Sequence, residues 1–255
     1  MTASARRPEI LAIIPARGGS KSIPRKNLMM LAGQPLIAYS IEQARASRHI
    51  TRTIVSTDDD EIARVARAHG AEVPFMRPAA LAQDLSTDLE VFRHALETLR
   101  DAEGYACDLV VHLRPTGPVR RAARVDEAID LMLRHGAADS LRSVTAPSQT
   151  PYKMWRVVGG LLEPVIPVES GEPYCLPRQS LPEVYWQNGY VDIVRPHVVL
   201  EQGMMCGRRI LPFVMHEPVY ELDYPENIAR VEAALAALQR GNPDGEPPYD
   251  IRHPV

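Results

Sequence analysis

The chain has 255 residues, of which 45% are hydrophobic and 24% are charged, and its formal net charge is −3. This composition is ordinary for a globular protein, and the length allows one large domain with a sizeable core. Because the chain has no overall basic field, nucleic acid is not an expected partner, and any anion site must come from local clusters of cations.

Three features bear on the cellular compartment. The apolar run near the N-terminus, ILAIIP, is too short for the core of a signal peptide. No stretch approaches the roughly 20 apolar residues that a membrane span requires. The three cysteines are odd in number and widely spaced, which predicts neither a disulfide framework nor a zinc site. We therefore expect a cytoplasmic protein with no membrane partner.

Short apolar runs alternate with amphipathic runs in the first half of the chain. The pattern predicts strands at 9–16, 51–59, 71–76, 107–116 and 138–145, and helices at 35–47, 59–70, 86–101 and 124–136. Such alternation is typical of an α/β fold, with a mostly parallel sheet covered by helices on both faces. Ligands of such sheets bind beyond the carboxyl ends of the strands, so we expect the site among 17–27, 56–58 and 114–120.

The alternation breaks at about residue 147. A proline-rich segment follows, and RVVGGLLEPV within it predicts a β-hairpin around Gly159 and Gly160. The segment is too hydrophobic for a linker, so we expect it to pack on another surface, such as a second subunit. Strands are predicted at 183–194, 208–215 and 218–223, and a helix at 225–240. We divide the chain into the first part of an α/β domain at 1–146, an excursion at 147–182, the remainder of the domain at 183–240 and a loosely held tail at 241–255.

The stretch from Ile13 to Asn27, IIPARGGSKSIPRKN, joins a buried strand to a loop with two adjacent glycines and four cations. Adjacent glycines let backbone N–H groups turn toward an anion, and lysines and arginines neutralise its remaining charge. The loop matches neither the Walker pattern nor G-x-G-x-x-G. A solvated basic turn is the alternative interpretation, but the residue pattern favours phosphate binding.

Two carboxylates near the C-terminus, Glu221 and Asp223, are separated by one residue. Residues i and i+2 of a strand face the same side, so the predicted strand would present both carboxylates together. Mg²⁺ prefers one or two carboxylates plus phosphate oxygens, although a solvent-facing acidic edge would look the same in the sequence. The eight histidines form no convincing catalytic or metal pattern. His112 lies in an apolar strand, and we expect it to be a core residue with its hydrogen bonds satisfied.

Five motifs together resemble the acylneuraminate cytidylyltransferase family, which makes CMP-activated sialic acids and related nine-carbon keto acids. They occur in the family's order: the opening loop, RPAALAQD (77–84), LRPTGPVR (113–120), PRQSLPEVYWQNGYVDI (177–193) and YELDYPENI (220–228). The resemblance spans roughly residues 9–235. It implies a Rossmann-like nucleotidyltransferase that uses CTP and Mg²⁺, transfers CMP to an acidic sugar and releases pyrophosphate.

The resemblance also implies roles for single residues. The catalytic residues would be Arg17, Lys21 and Asp223, with Asp223 and Glu221 as Mg²⁺ ligands. The nucleotide would be bound by Gly18, Gly19, Ser20, Lys26, Asn27, Arg77 and Ser86 or Thr87, although Asp88 holds the aligned place of a hydroxyl in some relatives. The acceptor would be bound by Arg114, Lys153, Arg178, Gln187 and Asn188. In the family, the positions of Lys153 and Arg178 lie in a dimerisation excursion and serve the neighbouring subunit, which implies a homodimer with shared active sites.

Arg114 departs from the family, because sialate enzymes place a glutamine at this position. A cation there favours an acceptor with additional negative charge. The first alternative function is therefore cytidylylation of a smaller anionic acceptor, such as a phosphono-carboxylic acid. A CTP-binding protein without turnover and a glycosyltransferase that consumes a nucleotide-sugar are further alternatives, and the residues identify no general base.

Overall fold

The computed structural model describes residues 6–167 and 171–241. The α-helices within these residues are α1 (Leu36–Ala46), α2 (Asp60–Ala68), α3 (Asp88–Glu103), α4 (Ala122–Arg134), α5 (Pro196–Leu200) and α6 (Ile228–Gln239). The strands are β1 (Ile10–Pro15), β2 (Met30–Leu31), β3 (Gln34–Pro35), β4 (Arg52–Ser56), β5 (Leu109–His112), β6 (Ser140–Thr145), β7 (Trp155–Val158), β8 (Leu161–Pro164), β9 (Trp186–Val194) and β10 (Ile210–Val214). The predicted tail lies outside the described residues, except for Gly241.

Six of these strands form the central sheet, in the order β10-β6-β9-β5-β1-β4. β1 is parallel to β4 and β5, and β6 is parallel to β10. β9 runs antiparallel to both of its neighbours, β5 and β6. The predicted mostly parallel sheet is therefore confirmed. The carboxyl ends of the five parallel strands meet at one edge, and the start of β9 lies at that same edge.

Helices cover both faces of the sheet, as the apolar runs predict. Strands of parallel sheets are buried on both faces and read as continuous apolar runs, and β1 is almost entirely buried. On one face the sheet packs against α1, α2 and α4, for example through Ile41 and Ile129. On the other face it packs against α3 and α5, for example through Phe92, Leu96 and Val198.

Side-chain caps fix where two helices begin beside the carboxyl edge. The Asp59 carboxylate accepts from the backbone N–H groups of Glu61 and Ile62 at 3.0 and 2.9 Å, which starts α2. Thr87 and Glu90 form a reciprocal capping box at the start of α3. These caps satisfy backbone donors that the first helical turn leaves free, and they hold the preceding loops in place.

Two predicted strands are wrong. The segment 71–76 contributes only an isolated bridge, between Glu72 and Ile54. The segment 218–223 pairs with no strand; the backbone N–H of Leu222 donates to the carbonyl of Thr116 at 2.7 Å. Leu222 is fully buried in a cluster with α6, which turns its two neighbours, Glu221 and Asp223, away from the core.

The predicted hairpin is confirmed. β7 and β8 pair with each other as an antiparallel ribbon, separate from the central sheet, and both turn glycines have positive φ. Its side chains are exposed, including Val157 and Leu161. Within the two described ranges, no helix is both long enough and apolar enough to cross a membrane.

Candidate active site

A cavity of about 610 Å³, termed the main cavity here, opens at the carboxyl ends of β1 and β5. It is lined by the opening loop, by residues 77–91, by residues 112–116 and by the acidic pair. Ten residues predicted from the sequence line it: Arg17, Ser20, Lys21, Lys26, Asn27, Arg77, Ser86, Arg114, Glu221 and Asp223. The main cavity thus joins four of the five sequence motifs: the opening loop, 77–84, 113–120 and 220–228.

Two cations of the opening loop converge on one carboxylate. The Lys21 ammonium lies 2.5 Å from Asp84, and the Arg17 guanidinium lies 3.1 Å from the same carboxylate. Arg17 also donates to the carbonyl of Gln83 at 2.6 Å. The hydrogen bond from Lys21 holds the pKa of the Asp84 carboxyl below its usual value. Two cationic side chains therefore surround one carboxylate in this part of the main cavity.

Two hydrogen bonds and one close packing contact fix the shape of the opening loop. The Asn27 amide donates to the carbonyl of Arg17 at 3.0 Å. The Gly18 backbone N–H donates to Asp58 at 2.9 Å, and a Cβ on Gly18 would lie 2.7 Å from an oxygen of Asp59. Gly18 is therefore required for close packing, and its N–H already has a partner. Neither Gly18 nor Gly19 lines the main cavity.

Arg77 lies on a second wall, where it is 95% buried. Its Nε donates to the hydroxyl of Ser56 at 3.1 Å, and its guanidinium also donates to the Ser56 carbonyl. Burial lowers the pKa of Arg77 to about 10, so the side chain is still charged near neutral pH. Ser86 lines the main cavity beside it, whereas the Thr87 hydroxyl is bound within the capping box of α3.

The acidic pair faces the main cavity even though its segment is not a strand. Burial, and then the negative charge of Asp223, raise the pKa of the Glu221 carboxyl. The Lys26 ammonium lies 3.4 Å from Asp223. No group of three or more histidine, cysteine or acidic residues is arranged to hold a metal within the described residues. Two repelling carboxylates beside a phosphate-sized space fit Mg²⁺, which takes its remaining ligands from water and phosphate.

Arg114 lies on the floor of the main cavity, but its charge is already balanced. Its guanidinium donates to Asp192 at 2.6 Å and to Asp88 at 3.3 Å. Asp192 is buried and also accepts from Arg142 at 3.0 Å. The alternative function, cytidylylation of a smaller and more anionic acceptor, depended on an uncompensated positive charge at Arg114. The structure removes that reason, because two carboxylates already bind the guanidinium.

His112 is buried, as its apolar strand predicts, but the expectation that its hydrogen bonds are satisfied is wrong. It is 98% buried, and neither ring nitrogen has a hydrogen-bond partner. Burial, and then the charges of Arg114 and Arg142, hold the pKa of the ring well below its usual value. The imidazole lines the main cavity in its neutral form.

A second cavity of about 260 Å³, the side cavity, shares Glu221 with the main cavity. Thr145, Trp186 and Asn188 also line it. The Asn188 side-chain oxygen accepts from the backbone N–H of Tyr190 at 3.2 Å, so part of this side chain has a local structural role. Gln187, the other residue predicted for the acceptor in this motif, lines neither cavity.

Comparison with known proteins identifies the family. A family model described as cytidylyltransferase matches residues 11–130. CMP-N,N'-diacetyllegionaminic acid synthase of Campylobacter jejuni is 34% identical over 231 residues, which cover 89% of this chain and 95% of that protein. The chain belongs to the acylneuraminate cytidylyltransferase family. It is therefore an enzyme, a nucleotidyltransferase.

Other relatives agree with this assignment. Post-translational flagellin modification protein B of Campylobacter coli is 33% identical, over 82% of this chain and 87% of that protein. N-acylneuraminate cytidylyltransferase of Escherichia coli is 40% identical over 92% of this cytidylyltransferase, which spans 54% of the longer relative. A solved CMP:2-keto-3-deoxy-manno-octonic acid synthetase, complexed with CTP, has the same fold, with a TM-score of 0.66, 18% identity and coverage of 90% and 99% of the two chains.

Two residues that the family resemblance assigns to the acceptor lie away from the main cavity of this cytidylyltransferase. Arg178 donates to the backbone carbonyls of Pro147 and Ser148 at 2.6 and 3.1 Å, and it lines a third cavity between segments 146–150 and 178–184. Lys153 ends a short 3₁₀ turn before β7 and lines none of the three cavities.

The sequence interpretation missed three groups of the cytidylyltransferase site. Asp84 and Asp192 lie inside motifs that were recognised, but neither was assigned a role. An acid within the apolar run of β9 was the available signal for Asp192, because buried carboxylates require cationic partners. No signal in the sequence distinguishes an unpartnered His112 from a satisfied one, since its surroundings come from α3 and β9.

Proposed function

We propose that the enzyme transfers CMP from CTP to a sugar acid, either a sialic acid or a related nine-carbon keto acid, and releases pyrophosphate. The observation that carries this proposal is the arrangement of the two cavities. Arg17 and Lys21 lie beside Asp84 in the main cavity, Lys26 lies beside Asp223 of the acidic pair, and the side cavity meets the main cavity at Glu221. Two substrates can therefore approach one acidic junction from different sides.

The residues of the main cavity suit a triphosphate. Arg17 and Lys21 would exchange their ion pairs with Asp84 for phosphate oxygens, and Lys26 would reach the phosphates nearest Asp223. These cations would neutralise the charge that builds on the leaving pyrophosphate. Phosphoryl-type transfer requires mainly positioning and charge stabilisation, so no protein nucleophile is needed.

The reaction forms one P–O bond and breaks another. The anomeric hydroxyl oxygen of the acceptor bonds to the α-phosphorus of CTP, the bond from this phosphorus to the bridging oxygen breaks, and the hydroxyl proton is released. We propose that Glu221 and Asp223 hold Mg²⁺ at the junction of the two cavities. When bound, the ion would neutralise phosphate charge and align the triphosphate.

The acceptor would occupy the side cavity and its mouth, where Asn188 and Trp186 offer an amide and an aromatic face. The names of the relatives support a nine-carbon keto acid: N-acylneuraminate in one, and N,N'-diacetyllegionaminic and pseudaminic acids in others. We also propose that the enzyme works in the cytoplasm, where nucleoside triphosphates are made.

The exposed hairpin supports a homodimer with shared active sites. Val157, Leu161 and Leu162 are each more than 60% exposed, a concentration of apolar surface that is typical of an interface. We propose that a second copy of the chain covers this hairpin. Arg178 and Lys153 would then serve the acceptor site of the neighbouring subunit, which accounts for their distance from the main cavity of their own chain.

Pyrophosphate release tests the reaction. The purified protein is given CTP, Mg²⁺ and one acid at a time: N-acetylneuraminate, legionaminate, pseudaminate, Kdo and a phosphono-carboxylate. We expect release with a nine-carbon acid, and we expect Asp223→Asn to abolish it while the circular dichroism spectrum is unchanged. Release with the phosphono-carboxylate alone, or full activity of Asp223→Asn, would contradict the proposal.

Mixing two inactive variants tests the shared site. Arg178→Ala and Asp223→Ala are purified separately, mixed, and allowed to exchange subunits. If Arg178 serves the neighbouring site, each mixed dimer contains one complete site and activity returns. If Arg178 serves its own chain, no mixed dimer has a complete site and the mixture remains inactive. Light scattering on the wild-type protein checks that it is a dimer.

A further inference from the structure

One wall of the main cavity is a short segment, 79–86, that carries Asp84 at its turn. The segment begins with the 3₁₀ turn Ala79–Leu81 and ends just before Thr87, the cap of α3. Next to Asp84, the side chain of Leu85 is 92% exposed. Within the described residues, the hydrogen bonds and ion pairs of this segment stay inside 78–86 or reach the opening loop. The Asp84 carboxylate can therefore move away from the opening loop without breaking a hydrogen bond to the core.

The carboxylate of Asp84 binds the opening loop as a phosphate group would. One of its oxygens faces the Arg17 guanidinium, and the other faces the Lys21 ammonium. A phosphate group likewise presents several anionic oxygens on one central atom. The Lys21 side chain is 78% exposed and that of Asp84 is 45% exposed, and ion pairs so open to water contribute little to stability. An incoming anion can therefore replace this carboxylate at a small cost.

Arg17 has a second contact that does not need Asp84. One arm of its guanidinium donates to the carbonyl of Gln83 at 2.6 Å, while the other arm faces the carboxylate. A guanidinium has five donors in a fixed fork, so one arm can stay bound while the other changes partner. Lys21 has no ion pair other than that with Asp84 in the described part of the chain. Loss of the carboxylate would therefore leave Arg17 oriented and both positive charges available.

The positions of the cations divide the triphosphate into two parts. Lys26 lies beside Asp223, at the junction of the two cavities where the acceptor would attack the α-phosphorus. Arg17 and Lys21 are paired instead with Asp84. They are therefore suited to the β- and γ-phosphates, which leave together as pyrophosphate.

We propose that Asp84 is a positioning residue that competes with pyrophosphate for Arg17 and Lys21, an inference that rests on the proposed use of CTP. In the free enzyme the carboxylate neutralises both cations, and the β- and γ-phosphates of CTP displace it. After the bond to the α-phosphorus has broken, Asp84 binds the two cations again and pyrophosphate dissociates. Because the carboxylate is tethered beside the cations, it competes at a high effective concentration. Asp84 thus lowers the affinity for the leaving group without contact with the reacting atoms.

Calorimetry without acceptor, at constant Mg²⁺, tests this inference separately from the overall reaction. It gives dissociation constants for CTP, pyrophosphate and CMP with each protein. We expect Asp84→Asn and Asp84→Ala to bind CTP and pyrophosphate about three- to tenfold more tightly than wild type, the range set by loss of one or two exposed ion pairs. CMP lacks both leaving phosphates, so its dissociation constant should change by less than about twofold. Asp84→Glu keeps the competing charge and should stay within about twofold of wild type for all three ligands.

The chain offers a matched control for the lost charge. Asp101→Asn removes a carboxylate from another exposed ion pair, with Arg100 at 2.8 Å, and Asp101 does not line the main cavity. It should leave all three dissociation constants unchanged. In an assay that follows the CMP-linked product, added pyrophosphate should inhibit Asp84→Asn at about three- to tenfold lower concentration than wild type. Circular dichroism and the unfolding midpoint confirm that each variant is folded.

The outcomes separate the two proposals. Binding of neither CTP nor pyrophosphate by wild type would overturn the proposed use of CTP, and this inference with it. Unchanged or weaker binding of CTP and pyrophosphate by both Asp84→Asn and Asp84→Ala would overturn the competing role alone. An equal gain in affinity for CMP, or the same gain in Asp101→Asn, would also overturn it, because the effect would then come from net charge and not from exchange at the two cations.

Discussion

Mild acid should destabilise the folded protein through a single buried ring, that of His112. The folded state keeps this ring neutral, because burial and three nearby arginines, Arg114, Arg142 and Arg120, hold its pKa well below the usual value of 6.5. The unfolded chain leaves the ring in water, where it binds a proton as the pH falls through about 6.5. The unfolded state therefore binds more protons than the folded state in this range, and the free energy of unfolding falls as the pH is lowered.

The size of the effect follows from the two protonation equilibria. Well below a pH of about 6.5, each further unit removes up to about 1.4 kcal/mol from the free energy of unfolding, until the folded ring also titrates. Between about pH 7 and about pH 5, the loss attributable to this one ring is about 2 kcal/mol. That is a large fraction of the stability of an ordinary domain.

Urea unfolding of wild type and His112→Phe at both pH values measures this contribution. Phenylalanine keeps an aromatic ring against Phe92 and removes the titrating group, so other groups cancel in the comparison. We expect wild type to lose about 2 kcal/mol more than the variant between the two pH values. Equal losses in the two proteins would show that His112 has an ordinary pKa or is exposed to solvent, and would refute the reasoning.

Two further predictions concern the floor of the main cavity and its acidic pair. Asp192→Asn removes the charge that balances Arg114 and Arg142, so the free energy of unfolding should fall by about 3 kcal/mol in urea titrations; a loss below about 1 kcal/mol would contradict the buried network. Gly189→Ala should raise the Mg²⁺ concentration needed for half-maximal pyrophosphate release, because the new Cβ would collide with the Glu221 carboxylate. It should also cost about 1–2 kcal/mol of stability, since Gly189 has φ of +65°; an unchanged Mg²⁺ requirement would show that Glu221 is not a ligand.

Much of the fold could be predicted from the sequence, because its signals are local. A few adjacent residues are enough to identify each of three features: the apolar run of β1, the acidic start of α2 and the glycine turn of the hairpin. The direction of β9 could not be predicted, since periodicity is the same for parallel and antiparallel strands. The segment 218–223 was assigned as a strand for a similar reason: its alternation reflects two buried residues, Tyr220 and Leu222, and not a pairing partner.

The candidate site was predicted in part, and the limits are physical. Side chains that lie close together in one loop, such as Arg17 and Lys21, could be grouped from spacing alone. Asp192 was missed because its partners are far away in the sequence: Arg114 follows the end of β5, and Arg142 lies in β6. The same distances explain why Arg114 looked like an uncompensated cation in the sequence.

The reversed direction of β9 has a consequence for how this enzyme can diversify. The excursion leaves the central sheet at the end of β6 and returns at the start of β9, and Thr145 pairs with Trp186 at that point. Both attachment points therefore lie at the catalytic edge, beside the side cavity. Insertions, deletions and substitutions between these two points can reshape the side cavity and the exposed hairpin together, while the opening loop is anchored on β1 and is left undisturbed. Divergence among such enzymes should therefore concentrate in this one exchangeable segment.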